Sequence, residues 1–343
     1  MLPLELIQFD LTEECPLSCR HCSNSSGPLR TKRFPPYRLF ELLEQAAKIG
    51  VKNIVFSGGE PLCYPALAPA LRMARRLRLP VTIFTTGIRD KKTRGAIDTQ
   101  EWKTLKEQGL VSAAFSTYAA PKEREYHNRV VALKPAEGDA FSVNELAIQR
   151  AHAASIDVQA HFIPSDPSVA GLQDIYDWAE GLECSELHLQ FPTRQGRNEA
   201  SVYLGLSASH EHMLQRAASS LVTLPRTMFY VSRLWRRRWS GSGESCGAND
   251  RQLIIRADGT ISPCNACKYL MPTTRQESIL EPPRKLIAVW ENSATLQAYR
   301  SAKAMNSVCL RCHGIFAEHK QEQERTIGGS ALLPVVPANG MFP

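Results

Sequence analysis

Short runs of β-branched and aromatic residues alternate with longer amphipathic stretches over the first two thirds of this 343-residue chain. The short runs predict six strands, at 4–11, 53–58, 81–87, 112–118, 158–164 and 186–192. The longer stretches repeat apolar positions every three to four residues, which predicts helices at 37–50, 66–78, 99–109, 143–156 and 173–182. Alternating strands and helices favour a parallel sheet, and this order fits either an incomplete (β/α) barrel or an open doubly wound sheet.

Chemistry-bearing motifs follow the predicted strands. A cysteine-rich loop follows the first, "GGEP" (58–61) ends the second, "TTG" (85–87) the third and "STY" (116–118) the fourth. Barrel-type α/β enzymes build their sites at the carboxyl ends of strands. The sequence therefore predicts an α/β fold, a partial (β/α)6 TIM-like barrel.

The chain divides into four predicted parts. They are a core at 1–225, a basic linker at 226–245 that contains "RLWRRRW", a cluster-binding domain at 246–325 and a Pro/Gly-rich tail at 326–343 that we expect to be loosely ordered. The interleaved Arg and Trp of the linker are typical of a solvated segment, of a docking site for an acidic partner or of a nucleic-acid contact.

Composition narrows the class of protein. Hydrophobic residues make up 43% and charged residues 22%, which is ordinary for a globular protein. No apolar run reaches about 18 residues, and the first residues lack the pattern of a signal peptide, so we expect a cytoplasmic protein without a membrane span. In that reduced compartment, ten clustered cysteines indicate metal binding or catalysis rather than disulfides. The net charge of +7 permits an acidic partner but does not require nucleic acid.

Three cysteines, Cys15, Cys19 and Cys22, form a C-x3-C-x2-C array without a fourth cysteine beside them. Three thiolates can hold three corners of a [4Fe–4S] cluster and leave one iron open to a ligand. A structural zinc site is the alternative, with His21 as fourth ligand, but zinc sites usually use pairs of ligands two residues apart.

This array and "GGEP" after the second strand resemble the radical S-adenosylmethionine (SAM) superfamily over about residues 4–197. The resemblance implies that the open iron chelates SAM, and that an electron from the cluster cleaves SAM to methionine and a 5′-deoxyadenosyl radical, which takes a hydrogen atom from the substrate. His21 departs from the family, which usually has an aromatic residue before the third cysteine.

The resemblance also implies a set of SAM-binding residues. They are Gly58, Gly59, Glu60, Pro61, Thr86 and Ser116. Glycines let a backbone approach a ligand closely, so the backbone N–H and C=O groups of the turn would hold the methionine ammonium, with Glu60 taking up charge nearby. For each of these positions, an ordinary turn or cap residue is the alternative.

A second set of cysteines resembles the SPASM/twitch extension of radical SAM enzymes. Cys246 is followed by Gly259 and Cys264, and later by Cys309 and Cys312. "RQLIIRADGTISPC" predicts a β-hairpin that turns at "ADG", in a small twitch-type hairpin and helix domain. Four thiolates would close one auxiliary [4Fe–4S] cluster, with a four-cysteine zinc site as the alternative. Cys267 is left over, or replaces one ligand.

The remaining candidate residues are isolated. Cys63 lies two residues after "GGEP", and Cys184 precedes the sixth strand. A lone cysteine is usually a small buried apolar residue, although a few relatives use one to return a hydrogen atom to the substrate. His127 and Arg129 follow the fourth strand and are predicted pocket residues. Cys63, His127 and Arg129 are the candidate catalytic residues.

The resemblance leaves the substrate open. The patterns after strands four and six resemble enzymes that modify ribosomally made peptides. We expect no N-terminal leader-recognition domain before the first strand, so a separate leader-binding protein would supply that function. The alternative substrates are sugars, aminocyclitols or nucleosides, and a metal-sensing nucleic-acid binder is a third hypothesis. A flavodoxin- or ferredoxin-type protein is the expected electron donor.

Overall fold

The computed structural model describes residues 3–90, 92–132, 138–192, 195–198, 206–232, 235, 239, 251–265, 268 and 277–306. Within these ranges, no helix combines the length and the apolar character that a membrane span requires. Cys246, Cys267, Cys309 and Cys312, and the predicted tail at 326–343, lie outside the described residues.

The described elements follow the predicted alternation of strands and helices. The strands are β1 (Leu6–Thr12), β2 (Asn53–Gly58), β3 (Val81–Thr85), β4 (Leu110–Thr117), β5 (Asp157–Phe162), β6 (Glu186–Leu189), β7 (Met228–Val231), β8 (Gln252–Ile255) and β9 (Ile261–Ser262). The helices are α1 (Pro36–Lys48), α2 (Leu67–Arg76), α3 (Thr99–Gln108), α4 (Arg124–Val130), α5 (Ala140–Ala153), α6 (Leu172–Gly181), α7 (Ala208–Ser219), α8 (Leu286–Asn292) and α9 (Ala294–Asn306).

One sheet joins the nine strands in the order β7-β6-β5-β4-β3-β2-β1-β8-β9. Pairing is parallel from β7 through β1 to β8. Strands β1 to β7 lie in chain order, whereas a doubly wound sheet reverses its order partway. The order therefore resolves the two alternatives in favour of the predicted partial barrel.

The two faces of the sheet differ in polarity. Ile7, Phe9 and Leu11 of β1 are fully buried in the cluster that also contains Leu39 and Leu42 of α1. Burying each such side chain stabilises the fold by about 1.5–3 kcal/mol. Alternate residues point to the opposite, inner face of the sheet, where several are polar. Helices thus cover one face and leave the other for the site.

The predicted hairpin is confirmed, and it extends the barrel sheet. β8 and β9 are antiparallel, and β8 pairs with β1 along residues 252–255. Gly259 has φ +81°, as the predicted turn requires, and a Cβ there would lie 2.4 Å from the Leu280 side chain. The sheet is therefore continuous from the predicted core into the predicted cluster domain.

The predicted linker at 226–245 requires a correction at its start. Residues 228–231 form β7 because Phe229 and Val231 pack against the core while Met228 and Tyr230 face the other side. Trp235 is also buried, and its indole N–H donates to the carbonyl of Gln190 at 3.0 Å. This tryptophan is not a solvated linker residue, nor is it free to stack on a base.

Candidate functional site

The cysteine loop, residues 13–27, is shaped by its own backbone. Cys15 N–H donates to Gly27 O at 3.2 Å, and Gly27 N–H donates to Glu13 O at 3.1 Å. Cys22 N–H donates to Cys19 O at 3.2 Å, and Ser26 N–H donates to Cys22 Sγ at 3.3 Å. These hydrogen bonds fix the backbone that carries Cys15, Cys19 and Cys22.

The three thiols are close enough to influence one another electrostatically. Burial raises the pKa of Cys15 well above its usual value, and negative charge on Cys19 raises it further. Burial likewise raises the pKa of Cys19 to about 12, with negative charge on Cys22 as the next cause. Three thiolates thus require a compensating positive charge, which cluster irons provide.

The arrangement fits a cluster better than a single metal ion. Among the described residues, no three His, Cys, Asp or Glu side chains surround one metal position. A cluster does not need that convergence, because each cysteine ligates a different iron. His21 Nε2 contacts Tyr118 Oη at 2.6 Å, while its Nδ1 is buried without a hydrogen-bond partner. The donor set therefore fits the predicted [4Fe–4S] cluster.

A turn beyond β6 packs directly on the cysteine loop. Arg197 donates from Nε to Cys19 O at 2.8 Å and from its backbone N–H to Cys22 O at 3.1 Å. Gly196 has φ +59°, and a Cβ there would lie 2.6 Å from Cys22 O and 2.5 Å from Ser23 O. No sequence pattern reveals this role, because Arg197 lies far along the chain from Cys19 and Cys22.

The two glycines of "GGEP" are needed for packing against the start of the cysteine loop. A Cβ on Gly58 would lie 2.5 Å from Thr12 O, and one on Gly59 would lie 2.2 Å from Glu14 O. The Gly59 N–H is already bonded to Thr12 O at 2.6 Å. The close backbone approach that the motif predicts is thus made to the protein itself at both positions. Pro61 follows as the first residue of a 3-10 turn over 61–63.

Glu60 is fully buried and links the carboxyl ends of β2 and β3. Its carboxylate accepts from Thr85 Oγ1 at 2.6 Å, from Thr86 N at 2.7 Å, from Thr86 Oγ1 at 2.7 Å and from Leu62 N at 3.1 Å. Burial raises the pKa of Glu60, and these hydrogen bonds oppose the shift. The Glu60 and Thr86 side chains therefore bind each other, and both hold the turn in place.

A buried ion pair connects the inner face of β1 with the region after the hairpin. Lys268 Nζ donates to Asp10 Oδ2 at 2.6 Å and to Asn24 Oδ1 at 2.9 Å. Asn24 Nδ2 in turn donates to Gly58 O at 2.8 Å. No sequence pattern marks these three side chains, because a single Asp, Asn or Lys carries no such signal.

An adjoining pair of amides reinforces this connection. Gln8 Nε2 donates to Asp10 Oδ1 at 2.8 Å. Gln8 and Asn265 also exchange two side-chain hydrogen bonds, at 2.8 and 2.9 Å. The inner face of β1 is thus bonded to residues 265 and 268.

Aromatic and imidazole rings form a row on the inner face, from β3 to β7. Ring centroids are 5.2 Å apart for Phe84 and His161, 4.7 Å for His161 and His188, and 4.9 Å for His188 and Tyr230. Ser116 lies opposite His161 in the register of β4 and β5. Tyr230 is 40% exposed, so the row leads from the interior to the open side of the sheet.

His161 carries an unsatisfied nitrogen in this row. Its Nδ1 contacts Gln190 Nε2 at 3.4 Å, while its Nε2 is buried and has no hydrogen-bond partner. Burial, with the neighbouring His188 as the second cause, lowers the pKa of His161 to about 3. The ring is therefore neutral near pH 7.

The candidate catalytic residues lie in three different settings. His127 is buried beside Tyr118, with ring centroids 5.3 Å apart, and burial lowers its pKa to about 4. Arg129 is exposed, with its guanidinium 5.7 Å from the Tyr126 ring centroid. Cys63 is half-buried, and its thiol donates to Arg89 O at 3.3 Å. Their catalytic roles stay predictions.

The other two cysteines that the structure describes are buried. Cys184 is a core residue, and burial raises its pKa to about 12. This environment is that of an inert structural cysteine. Cys264 is buried just after β9, and its carbonyl accepts from Ser262 Oγ at 2.8 Å. The other predicted auxiliary ligands lie outside the described residues.

Two family models match the chain. The radical SAM superfamily model covers residues 10–166, which include the cysteine loop, "GGEP" and Ser116. An iron–sulfur cluster-binding domain model, SPASM, covers residues 246–313, which include the five cysteines after residue 245. The first match supports the expected SAM and [4Fe–4S] cofactors of the barrel, and the second supports an iron–sulfur cluster in the C-terminal region.

Relatives cover most of the chain. The PqqA peptide cyclase of Streptomyces rochei is 25% identical over 91% of this chain and 82% of its own length. That of Gluconobacter oxydans (strain 621H) is 24% identical over 95% and 85%. Streptococcus suis SuiB bound to S-adenosylmethionine has a similar fold, with a TM-score of 0.67 and 16% identity over 88% of this chain and 68% of SuiB.

Proposed function

Because the chain belongs to the radical SAM superfamily and carries a SPASM-type cluster domain, we propose that it modifies a ribosomally made peptide by radical hydrogen abstraction. The observation that carries this proposal is its similarity to PqqA peptide cyclases over at least nine tenths of the chain. SuiB, in its complex with the precursor peptide SuiA, has a similar fold, with a TM-score of 0.68.

The cysteine loop would hold the cluster that binds SAM, through Cys15, Cys19 and Cys22. When bound, the cluster would supply the electron for reductive cleavage of SAM. The chain itself contributes the rigid backbone of the loop, which Gly27 O and Arg197 hold through hydrogen bonds to the cysteine backbone.

SAM would lie between the ends of β2 and β4. The Gly58 carbonyl has one lone pair engaged by Asn24 and a second available, so it suits the methionine ammonium. Ser116 on the inner face of β4 would contact the ribose or the carboxylate. Glu60 contributes by fixing the turn, since hydrogen bonds within the protein occupy its carboxylate.

The ring row would bind the peptide. If Gln190 donates to His161 Nδ1, as the amide is oriented, the proton of the neutral imidazole is on Nε2. The unsatisfied Nε2–H then suits a hydrogen-bond acceptor such as a peptide carbonyl. A ligand carboxylate fits less well, because the Glu186 carboxylate lies 2.5 Å from His188 in the same row.

An acidic flavodoxin- or ferredoxin-type donor would dock beside the cysteine loop. Gly27 O accepts from both Cys15 N and Arg30 N, so the basic segment 29–33 begins next to a cluster ligand. Leu29 is 94% exposed, and Arg30 and Lys32 are exposed beside it. A small apolar contact within a positive rim is typical of weak, electrostatically steered electron-transfer complexes.

The remaining predictions complete this proposal. The C-terminal region would hold one auxiliary cluster through Cys246, Cys264, Cys309 and Cys312. A separate leader-binding protein would deliver the peptide. The free thiols require a reducing compartment such as the cytoplasm.

The test uses short peptides that are encoded beside the gene. Reduced, reconstituted enzyme is incubated with SAM and each peptide in deuterated form. We expect deuterium in 5′-deoxyadenosine and a peptide of altered mass. Deuterium transfer from a sugar, aminocyclitol or nucleoside, with none from any peptide, would replace the proposal with the small-molecule alternative.

A further inference from the structure

Three polar contacts connect the SPASM-type region with β1 and with the "GGEP" turn. Lys268 lies in the region that the iron–sulfur domain model covers, yet its ammonium reaches the inner face of β1. There it contacts Asp10 and Asn24, and Asn24 contacts the carbonyl of Gly58.

The ion pair is buried, which makes its geometry exacting. The side chains of Lys268 and Asp10 are 2% and 4% exposed. A buried charge is tolerated only when it is paired and its hydrogen bonds are satisfied. Lys268 therefore has little freedom to move, and neither does the amide that it contacts.

The chemistry of the two neighbours fixes the orientation of Asn24. A lysine ammonium can only donate, so Oδ1 of Asn24 must face Lys268. A backbone carbonyl can only accept, so Nδ2 must face Gly58 O. A flipped amide would lose both contacts, and the assignment is therefore unambiguous.

We propose that Lys268 and Asn24 are positioning residues for SAM: Lys268 fixes the Asn24 amide, and the amide fixes the Gly58 carbonyl that would receive the methionine ammonium. This inference rests on the proposed SAM site at Gly58. The SPASM-type region thus sets the affinity of the barrel for SAM, in addition to holding its own cluster.

The principal test is Asn24→Asp. The new carboxylate keeps an acceptor for Lys268 and adds charge attraction, but it has no donor for Gly58 O. We expect the dissociation constant for SAM, measured by anaerobic equilibrium dialysis, to rise about 10- to 100-fold, as for other outer-shell partners of metal sites. Iron content and the urea midpoint should stay near the wild-type values.

Lys268→Met tests the first contact, and Lys52→Met is the matched control. Lys52 forms an exposed ion pair with Glu5 at 2.7 Å. It lies just before β2, at the opposite end of that strand from the "GGEP" turn. We expect Lys268→Met to weaken SAM binding and to reduce the change that SAM causes in the electron paramagnetic resonance spectrum of the reduced cluster. Lys52→Met should change neither.

The outcomes separate this inference from the proposed function. If the wild type binds SAM and Asn24→Asp binds it within twofold of the wild type, the positioning role is wrong while the proposed function stands. If the reconstituted wild type neither binds nor cleaves SAM, the proposed function itself fails. Additive losses for Asn24→Asp and Lys268→Met in the double variant would also contradict a shared pathway.

Discussion

Replacing Glu60 with glutamine changes one oxygen into an NH2 group at the buried contact between β2 and β3. The two carboxylate oxygens accept four hydrogen bonds, two from the backbone N–H groups of Leu62 and Thr86 and two from the hydroxyls of Thr85 and Thr86. The hydroxyls can rotate and accept from the new NH2 group, but the backbone N–H groups cannot.

The structure sets the size of the effect. Whichever way the new glutamine amide is oriented in the variant, its NH2 group faces one backbone N–H, which loses its acceptor. A buried donor without a partner costs about 1–3 kcal/mol. The other contacts lose their charge assistance, which adds about 1 kcal/mol or more. We therefore expect Glu60→Gln to lower the free energy of unfolding by about 2–4 kcal/mol.

Anaerobic urea unfolding, followed by tryptophan fluorescence, measures this change. Glu101→Gln is the control, since among the described residues the Glu101 side chain forms a surface ion pair with Arg89, and such pairs contribute about 0–1 kcal/mol. SAM affinity should fall in Glu60→Gln as the turn loosens. A variant as stable as Glu101→Gln, with unchanged SAM affinity, would refute the positioning role of the Glu60 carboxylate.

Three further predictions concern the loop, a buried histidine and the donor surface. Gly196→Ala should lower the iron content of the first cluster because its Cβ would displace the carbonyl of Cys22, whereas Gly181→Ala, where nothing lies within 4 Å, should not. As the pH falls from about 6.5 toward 4, the wild type should lose about 1.4 kcal/mol of stability per pH unit relative to His127→Phe. The reason is that the buried histidine stays neutral over that range while the unfolded one becomes protonated. Arg30→Glu with Lys32→Glu should slow cluster reduction by flavodoxin and leave reduction by dithionite unchanged.

Each of these predictions has an outcome that contradicts it. Equal iron content in the two glycine variants would show that the turn beyond β6 does not support the first cluster. Parallel pH–stability curves for wild type and His127→Phe would mean that His127 is not neutral in the fold, and loss of turnover in a stable variant would support its catalytic role. If flavodoxin reduces the cluster of the wild type and of the double variant at the same rate, independently of salt, then the donor binds at a different surface.

The strands and the first cluster could be predicted because their signals are local. A run such as 53–58 is bounded by turns and matches β2 residue for residue, and three thiols within eight residues have few other uses. The hairpin after residue 251 was also predictable, since Gly259 marks its turn.

The contacts that hold the site together could not be predicted. Lys268 and Asp10 are 258 residues apart, and no periodicity relates them. β7 was missed because four alternating residues beside an Arg/Trp-rich segment give a weak strand signal. At Gly58 and Gly59, the sequence shows that a close backbone approach is needed but not that Thr12 O and Glu14 O are the atoms approached.

The most direct test of the central claim is SAM cleavage by anaerobically reconstituted protein, compared with the Cys15→Ala/Cys19→Ala/Cys22→Ala variant. We expect 5′-deoxyadenosine only from the wild type, with about four fewer irons per chain in the variant. Equal 5′-deoxyadenosine formation by the two proteins, or no cleavage by an iron-loaded wild type, would contradict it.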